Sequence, residues 1–350
     1  MQIERTNNFD LLRLFAALTV MIWHASVHLE VFDKMYYFLA CFYHFPGVPI
    51  FFTISGFLIS NSLERSNFKL KTYFKNRALR IYPALWLCTF ITAILLLLFG
   101  IVSNYIDFII WLITQLTFFQ FFASASLKTW GVGHPNGSLW SIAVELQFYF
   151  TLPFIIFVVS KIKSISKVNV FLVFLFCLSI AFRFIVDNNY LNDISPILSK
   201  LSGNFILYYL HFFLTGILLY KNFEKLKVYI YDKALYWLAA YLIYILVFKV
   251  WLKLYESPYS INIFGIIANT LLSFCTLSFA FSFRNLSKKL LNHNDISYGL
   301  YIYHMPLINV LVTLNQKGSF LNLIELIILT IILSILSWKL VEQKIMILFK

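Results

Sequence analysis

The chain has 350 residues, of which 61% are hydrophobic, 19% aromatic and only 12% charged. Water-soluble domains carry roughly 25% charged residues, so this composition excludes one. The formal net charge of +13, from 28 Lys and Arg against 15 Asp and Glu, follows from basic residues gathered on one side of a membrane and requires no nucleic-acid partner.

Apolar runs of about 17 to 23 residues recur along the chain, each long enough to cross a hydrocarbon core of about 30 Å as a helix. Candidate spans are residues 8–29, 45–63, 81–100, 138–160, 169–186, 203–220, 234–252, 261–283, 296–314 and 321–341. The pattern predicts an all-α, polytopic helical bundle of about ten spans, organised as a single integral-membrane domain over 1–350 with no appended soluble domain. The segment 105–137 is expected to be re-entrant or interfacial, because counting 105–122 as a full crossing would put Lys161, Lys163 and Lys167 on the wrong side. With both termini cytoplasmic, Arg5, Arg65, Lys69, Lys71, Lys75, Arg77, Arg80, the Lys161 to Lys167 group, Lys221 to Lys233, Arg284, Lys288, Lys289, Lys339, Lys344 and Lys350 all lie inside. Cys41, Cys88, Cys177 and Cys275 stand singly in apolar segments without metal-type spacing, so no metal is expected.

In the first span Arg13 and His24 are eleven residues apart, which on a helix returns to within about 20° of the same face and rises about 16 Å. Ionisable side chains in lipid are costly, so each is a functional candidate. Asp10, three residues before Arg13, can partly neutralise it, and His28 lies one turn beyond His24 near the outer interface. The second span, HFPGVPIFFTISGFLIS, combines Pro46, Gly47, Pro49 and Gly56, which predicts a kinked helix with close backbone approach. The basic segment 64–80 ends in Arg77 and Arg80, three apart and therefore able to share a helix face and grip a phosphate-bearing ligand with forked donors; its lysines read as ordinary anchors. The fourth span opens HPNGSLWSIAVELQFYF, with Asn136 or Ser138 as a helix cap and Ser141 and Glu145 one turn apart beside Trp140. Glu145 and His24 are expected at similar depth, where a carboxylate and an imidazole form either an acid–base pair or an interhelical ion pair. In the ninth span Ser297, Tyr301 and His304 share a stripe, and His211 in the sixth reads as a hydrogen-bonded structural residue.

Taken together, FDLLRLFAALTVMIWH, GVPIFFTISGFLIS, YFKNRALRIYP, SLWSIAVELQFYF and SYGLYIYHMP, in that order over most of the chain, resemble the membrane-bound acyltransferase-3 family, the O-acyltransferases of bacterial surface glycans. The resemblance places the family's arginine and histidine at Arg13 and His24, its loop arginines at Arg77 and Arg80, and the Ser and Glu of its tryptophan motif at Ser141 and Glu145. Two departures are visible: the family's acidic doublet reads Glu145-Leu146 here, and its C-terminal acidic-proline element reads VEQKI, leaving Glu342 without an assigned role.

The resemblance implies an enzyme of the bacterial cytoplasmic (inner) membrane, surrounded by membrane lipids. It would move an acetyl or other acyl group from cytoplasmic acetyl-CoA to a hydroxyl of a glycan or lipid-linked sugar. Arg13, Arg77 and Arg80 would hold coenzyme A, and His24, Glu145 and Ser141 would form the reacting centre. His24 would act as general base in direct transfer, the route favoured here, or would carry the acyl group as an acyl-imidazole. Trp140, Tyr301, His304 and Trp130 are expected to contact the substrate, with Trp111 and the Phe118 to Phe122 run as further stacking surfaces. The readings to be separated from this one are a transporter of glycan or lipid-linked sugar and acylation of a non-polysaccharide acceptor. The absence of a second copy of these motifs argues against the internal repeats common in transporters.

Overall fold

The computed structural model describes residues 7–31, 39, 42–192, 194–257, 259–283, 285–292 and 294–349; Arg5, Cys41, Arg284 and Lys350, used above, lie outside the described residues. Within them all regular structure is helical. In chain order the helices are α1 (Phe9–His28), α2 (Gly47–Arg65), α3 (Leu70–Leu98), α4 (Tyr105–Leu116), α5 (Trp140–Lys161), α6 (Ile165–Asp187), α7 (Pro196–Ser202), α8 (Ile206–Lys221), α9 (Phe223–Ile230), α10 (Ala234–Tyr244), α11 (Ile263–Ala280), α12 (Leu286–Leu291), α13 (Ser297–Thr313), α14 (Phe320–Ser337) and α15 (Gln343–Leu348). Wider π-type turns at Ile245–Trp251 and Trp338–Glu342 continue α10 and α14.

Among the described residues eight helical stretches are long and apolar enough to cross a membrane, which makes this a polytopic helical bundle. The other two expected spans also form as helices. One, α2, is diluted by Thr53, Ser55, Ser60, Asn61, Ser62 and Glu64, and the other, α13, has 17 residues. The 12 residues of α4 extend only about 18 Å, short of a full crossing. The basic segment differs from expectation. Rather than a loop ending at residue 80, residues from Leu70 onward are already the first turns of the 29-residue α3, because LKTYFKNRALR holds no Gly or Pro and its Leu, Lys, Arg and Ala residues favour helix.

The chain forms two compact units. The first comprises residues 1–12, 44–73 and 144–293. Its tightest packing is a reciprocal glycine contact between α2 and α8: a Cβ added at Gly56 would lie 2.1 Å from the Phe213 carbonyl oxygen, and one at Gly216 would lie 2.2 Å from that of Thr53. Two helices whose backbones meet this closely leave no room for any side chain at either position. The same pair is joined further along by Tyr220 and Lys221, which both bond the Glu64 carboxylate, so α2 and α8 run in the same sense. Replacing Gly56 with Leu is expected to destabilise the protein by about 3 kcal/mol or to block its folding, because the clash is with backbone that cannot swing aside; chemical denaturation in detergent, monitored by circular dichroism, measures it. In this unit His211 is held structurally: its backbone N–H and ring Nδ1 meet Ser179 Oγ at 3.0 and 3.1 Å.

The second unit comprises residues 13–43, 74–143 and 294–350. Its apolar core includes Ala93, Leu96, Trp111, Leu127 and Trp130, under which α4 and the loop to α5 are packed.

Prolines inside the helices create specific bonds. A proline lacks the N–H that would bond the carbonyl four residues earlier. In α13, Pro306 frees the carbonyl of Ile302, which accepts from Asn136 Nδ2 at 2.9 Å and from the Cys88 thiol at 3.3 Å. In α5, Pro153 frees the carbonyl of Tyr149, which accepts from the Tyr73 hydroxyl at 3.1 Å. Asn136 or Ser138 was expected to cap α5, but the Asn136 amide serves this distant carbonyl, the Ser138 hydroxyl donates to Asn136 Oδ1 at 2.8 Å, and α5 is introduced by a short 3-10 turn at Gly137–Leu139.

Candidate active site

Within the second unit, α1 and α13 run side by side in the same sense and are joined at two levels. At the first, Asp295, just before α13, takes Arg80 Nη2 at 2.5 Å and lies 3.9 Å from Arg13 Nη1. Asp295 also accepts from the backbone N–H and hydroxyl of Ser297 at 3.2 and 2.5 Å, which ties the cluster to the first turn of α13. At the second level, about 16 Å further along α1, His24 Nδ1 lies 2.8 Å from His304 Nε2, with the two rings stacked at 5.1 Å. His28 follows one turn on, its ring 6.1 Å from that of His24. Spans one and nine share a direction in the topology read from the basic residues, and this packing agrees with it.

Arg13 and Arg80, expected to meet a phosphate ligand, thus converge on one buried carboxylate. Arg77 is half-buried one turn before Arg80 on the same helix. Asp295 thus faces two forked guanidinium groups, and the Glu342 carboxyl is within electrostatic reach of Arg80. Burial alone would push the Asp295 carboxyl upward, but Arg80, then Arg13, and the Ser297 hydroxyl hold it below the usual carboxylate range. A depressed folded-state value means that this stabilisation is present at neutral pH and is lost as acid protonates the group. Replacing Asp295 with Asn is expected to cost about 3 kcal/mol, because the two arginines are left facing one another. Denaturation curves at pH 7, 4 and 3 test this: the gap between wild type and variant persists to about pH 4 and narrows below the ordinary carboxylate value of about 3.9.

Beside His304, the Tyr301 ring stands edge-on at 5.9 Å, and its hydroxyl lies 2.5 Å from Ser141 Oγ. Both hydroxyls are within reach of the Ser138 carbonyl, at 3.1 Å from Tyr301 and 3.3 Å from Ser141. Two hydroxyl protons serve the Ser138 carbonyl and the bond between the hydroxyls, so Ser141 and Tyr301 lock one another in place. Trp140, at the start of α5, is half-buried, whereas Trp130 is fully enclosed in the apolar core, with no ring face open to a sugar. Phe118, Phe119 and Phe122 remain exposed.

Glu145 belongs to the first unit, where its Oε1 accepts from Ser55 Oγ at 2.9 Å and from the Tyr149 hydroxyl at 2.6 Å. The imidazole bonded to His24 is His304. Among the described residues no cluster of three or more His, Cys, Asp or Glu is arranged to hold a metal ion.

Residues not singled out from sequence also build this region. Asp295 is one, and Asn309 is another: fully buried in α13, it accepts from the Val132 N–H at 2.9 Å and donates to the carbonyls of His134 and Pro135 at 2.9 and 3.0 Å. Gly131 approaches Asn309 so closely, at a φ of +55°, that a Cβ there would lie 2.3 Å from Asn309 Oδ1. An asparagine amid an apolar span was the signal available for it.

A polytopic helical bundle in which an arginine–carboxylate cluster and a histidine pair join α1 to α13 at two levels defines a class: an integral-membrane protein with ionisable side chains on its spans. The chain belongs to the acyltransferase-3 family, whose family model, described as an acyltransferase domain, matches residues 6–339. It is 31% identical to Nodulation protein 10 of Rhizobium leguminosarum bv. viciae over 96% of this chain and 92% of that protein. To the O-acetyl transferase of Shigella phage Sf6 it is 27% identical, over 97% and 96%. A shorter match, 30% identical over 33% of this chain and 20% of the relative, is to the peptidoglycan O-acetyltransferase OatA of Listeria monocytogenes. No solved structure matches the chain.

Proposed function

We propose that this acyltransferase moves an acetyl group from cytoplasmic acetyl-CoA to a hydroxyl of a glycan or lipid-linked sugar, with His24 as general base. The observation that carries this reading is the two-level arrangement along α1 and α13. An arginine–carboxylate cluster stands at one level and an imidazole pair about 16 Å further on. A donor with phosphates at one end and a thioester at the other is matched by such a site. Two relatives named as O-acetyltransferases, one of them acting on peptidoglycan, support acetyl as the group and a glycan as the acceptor.

In this reading His24 accepts the proton of the acceptor hydroxyl as its oxygen attacks the thioester carbonyl. The carbon–sulfur bond then breaks, and the thiolate of coenzyme A takes the proton back from His24. In this reading Arg13, Arg77 and Arg80 hold the phosphates on the cytoplasmic side of a bacterial inner membrane, and both termini lie on that side. Ser141 acts by fixing Tyr301 beside His304. Glu145, assigned from the tryptophan motif, is the carboxylate that favours the charged form of His24 in this reading, and Trp140 lies against the substrate.

The test is to incubate the protein in lipid nanodiscs with acetyl-labelled acetyl-CoA and membrane glycan, alongside mass analysis of surface glycans from cells with and without it. Label on the glycan and loss of acetylated species without the protein are the expected results. Glycan that changes in amount or location but never in acetylation would overturn the assignment in favour of transport.

A further inference from the structure

The hydrogen bonds around His304 fix where its protons sit, and through them where those of His24 sit. His304 is fully buried in α13, and its Nδ1 lies 3.3 Å from the carbonyl oxygen of Leu300, one turn back on the same helix. A carbonyl can only accept, so Nδ1 of His304 carries the proton. A neutral imidazole has one N–H, which leaves Nε2 of His304 as a lone-pair acceptor. The atom facing that lone pair at 2.8 Å is Nδ1 of His24, which therefore donates. The chain of bonds runs from His24 Nδ1–H to His304 Nε2, and from His304 Nδ1–H to the Leu300 carbonyl. It leaves Nε2 of His24 without a proton.

We infer that His304 is a positioning residue that holds His24 in the tautomer whose Nε2 is the basic nitrogen. This rests on the reading of His24 as general base, and it moves His304 from the substrate contacts to the reacting centre. The second ring does the work that a carboxylate usually does behind a catalytic histidine. When His24 Nε2 takes the acceptor's proton, the bond from Nδ1–H into His304 Nε2 strengthens, and movement of that proton puts the positive charge on His304. The Nδ1–H of His304 already points at a carbonyl oxygen that stabilises it. No proton leaves the pair, and reversal returns one proton to the leaving thiolate.

The first measurement is the ¹⁵N spectrum of the histidine-labelled, full-length protein in nanodiscs, with the His24 signals assigned by their loss in His24→Asn. The expected spectrum shows His24 with a protonated Nδ1 and an unprotonated Nε2. A His24 protonated at Nε2 in the wild type overturns the inference whether or not the protein turns out to transfer acetyl groups. The second is a pair of variants. His304→Leu removes the acceptor and is expected to randomise the His24 tautomer and lower kcat about 100-fold with the KM for acetyl-CoA unchanged. His304→Gln, whose amide oxygen can take the place of Nε2, is expected to restore the tautomer and all but a few-fold of kcat. Equal loss in both variants with an unaltered His24 spectrum would make His304 a packing residue only.

Discussion

Replacing His24 with Asn is expected to lower the turnover of acetyl transfer about 1,000-fold while leaving acetyl-CoA binding unchanged. A general base contributes roughly 10² to 10⁴ in rate, and here no other described imidazole takes the place of Nε2. The arginine cluster is a separate group of residues, its Arg13 about 16 Å from His24 along α1, so donor affinity is not expected to depend on the imidazole. Isothermal titration with acetyl-CoA and steady-state transfer assays on the same preparation separate the two quantities. Loss of both would make His24 part of the donor site, and undiminished turnover would remove it from the chemistry. Mixing wild type with donor alone gives a further reading: direct transfer produces no burst of free coenzyme A, whereas an acyl-imidazole releases one equivalent at once.

The second large effect belongs to the arginines. An Arg77→Ala, Arg80→Ala double variant, shown to be folded, is expected to bind acetyl-CoA about 100-fold more weakly, since each charge-assisted hydrogen bond to phosphate contributes about 1.5 to 3 kcal/mol. At a donor concentration 100 times the wild-type Kd, the wild type gains about 2.7 kcal/mol of stability from binding and the variant only about 0.4 kcal/mol. Thermal denaturation with and without acetyl-CoA reads the difference directly. Equal stabilisation of both proteins would move the donor elsewhere.

Much of this arrangement is legible in the sequence because helical periodicity carries it. Arg13 and His24 on one face of α1, Tyr301 and His304 on one stripe of α13, and Arg77 and Arg80 at helical spacing all follow from about 100° per residue, and Gly56 announces a close helix contact by its lack of a side chain. Partners were harder to read. That Arg13 and Arg80 converge on Asp295, or that His24 meets His304 across 280 positions, depends on which helices become neighbours, and periodicity is silent on that. Asn136 misled for a related reason. Asparagine before a helix is a good cap, yet the proline in α13 offered it an orphaned carbonyl 166 residues away. Trp130 shows the reverse case, since an aromatic residue in a loop reads equally well as a sugar platform or as core, and here it is core.

The bond from Asn136 to Ile302 also bears on biosynthesis. As the chain leaves the ribosome and its early helices enter the bilayer, the loop before α5 can already pack on α3 and α4, but the bonds of Val132 and Asn136 wait for α13, and His24 waits still longer for its partner in the same late helix. Closing so long a span of chain is slow and entropically costly. The candidate reaction centre is thus among the last parts of the protein to assemble, and a nascent chain halted before α13 can be inserted in the membrane yet lack Asp295 between its arginines and the histidine pair.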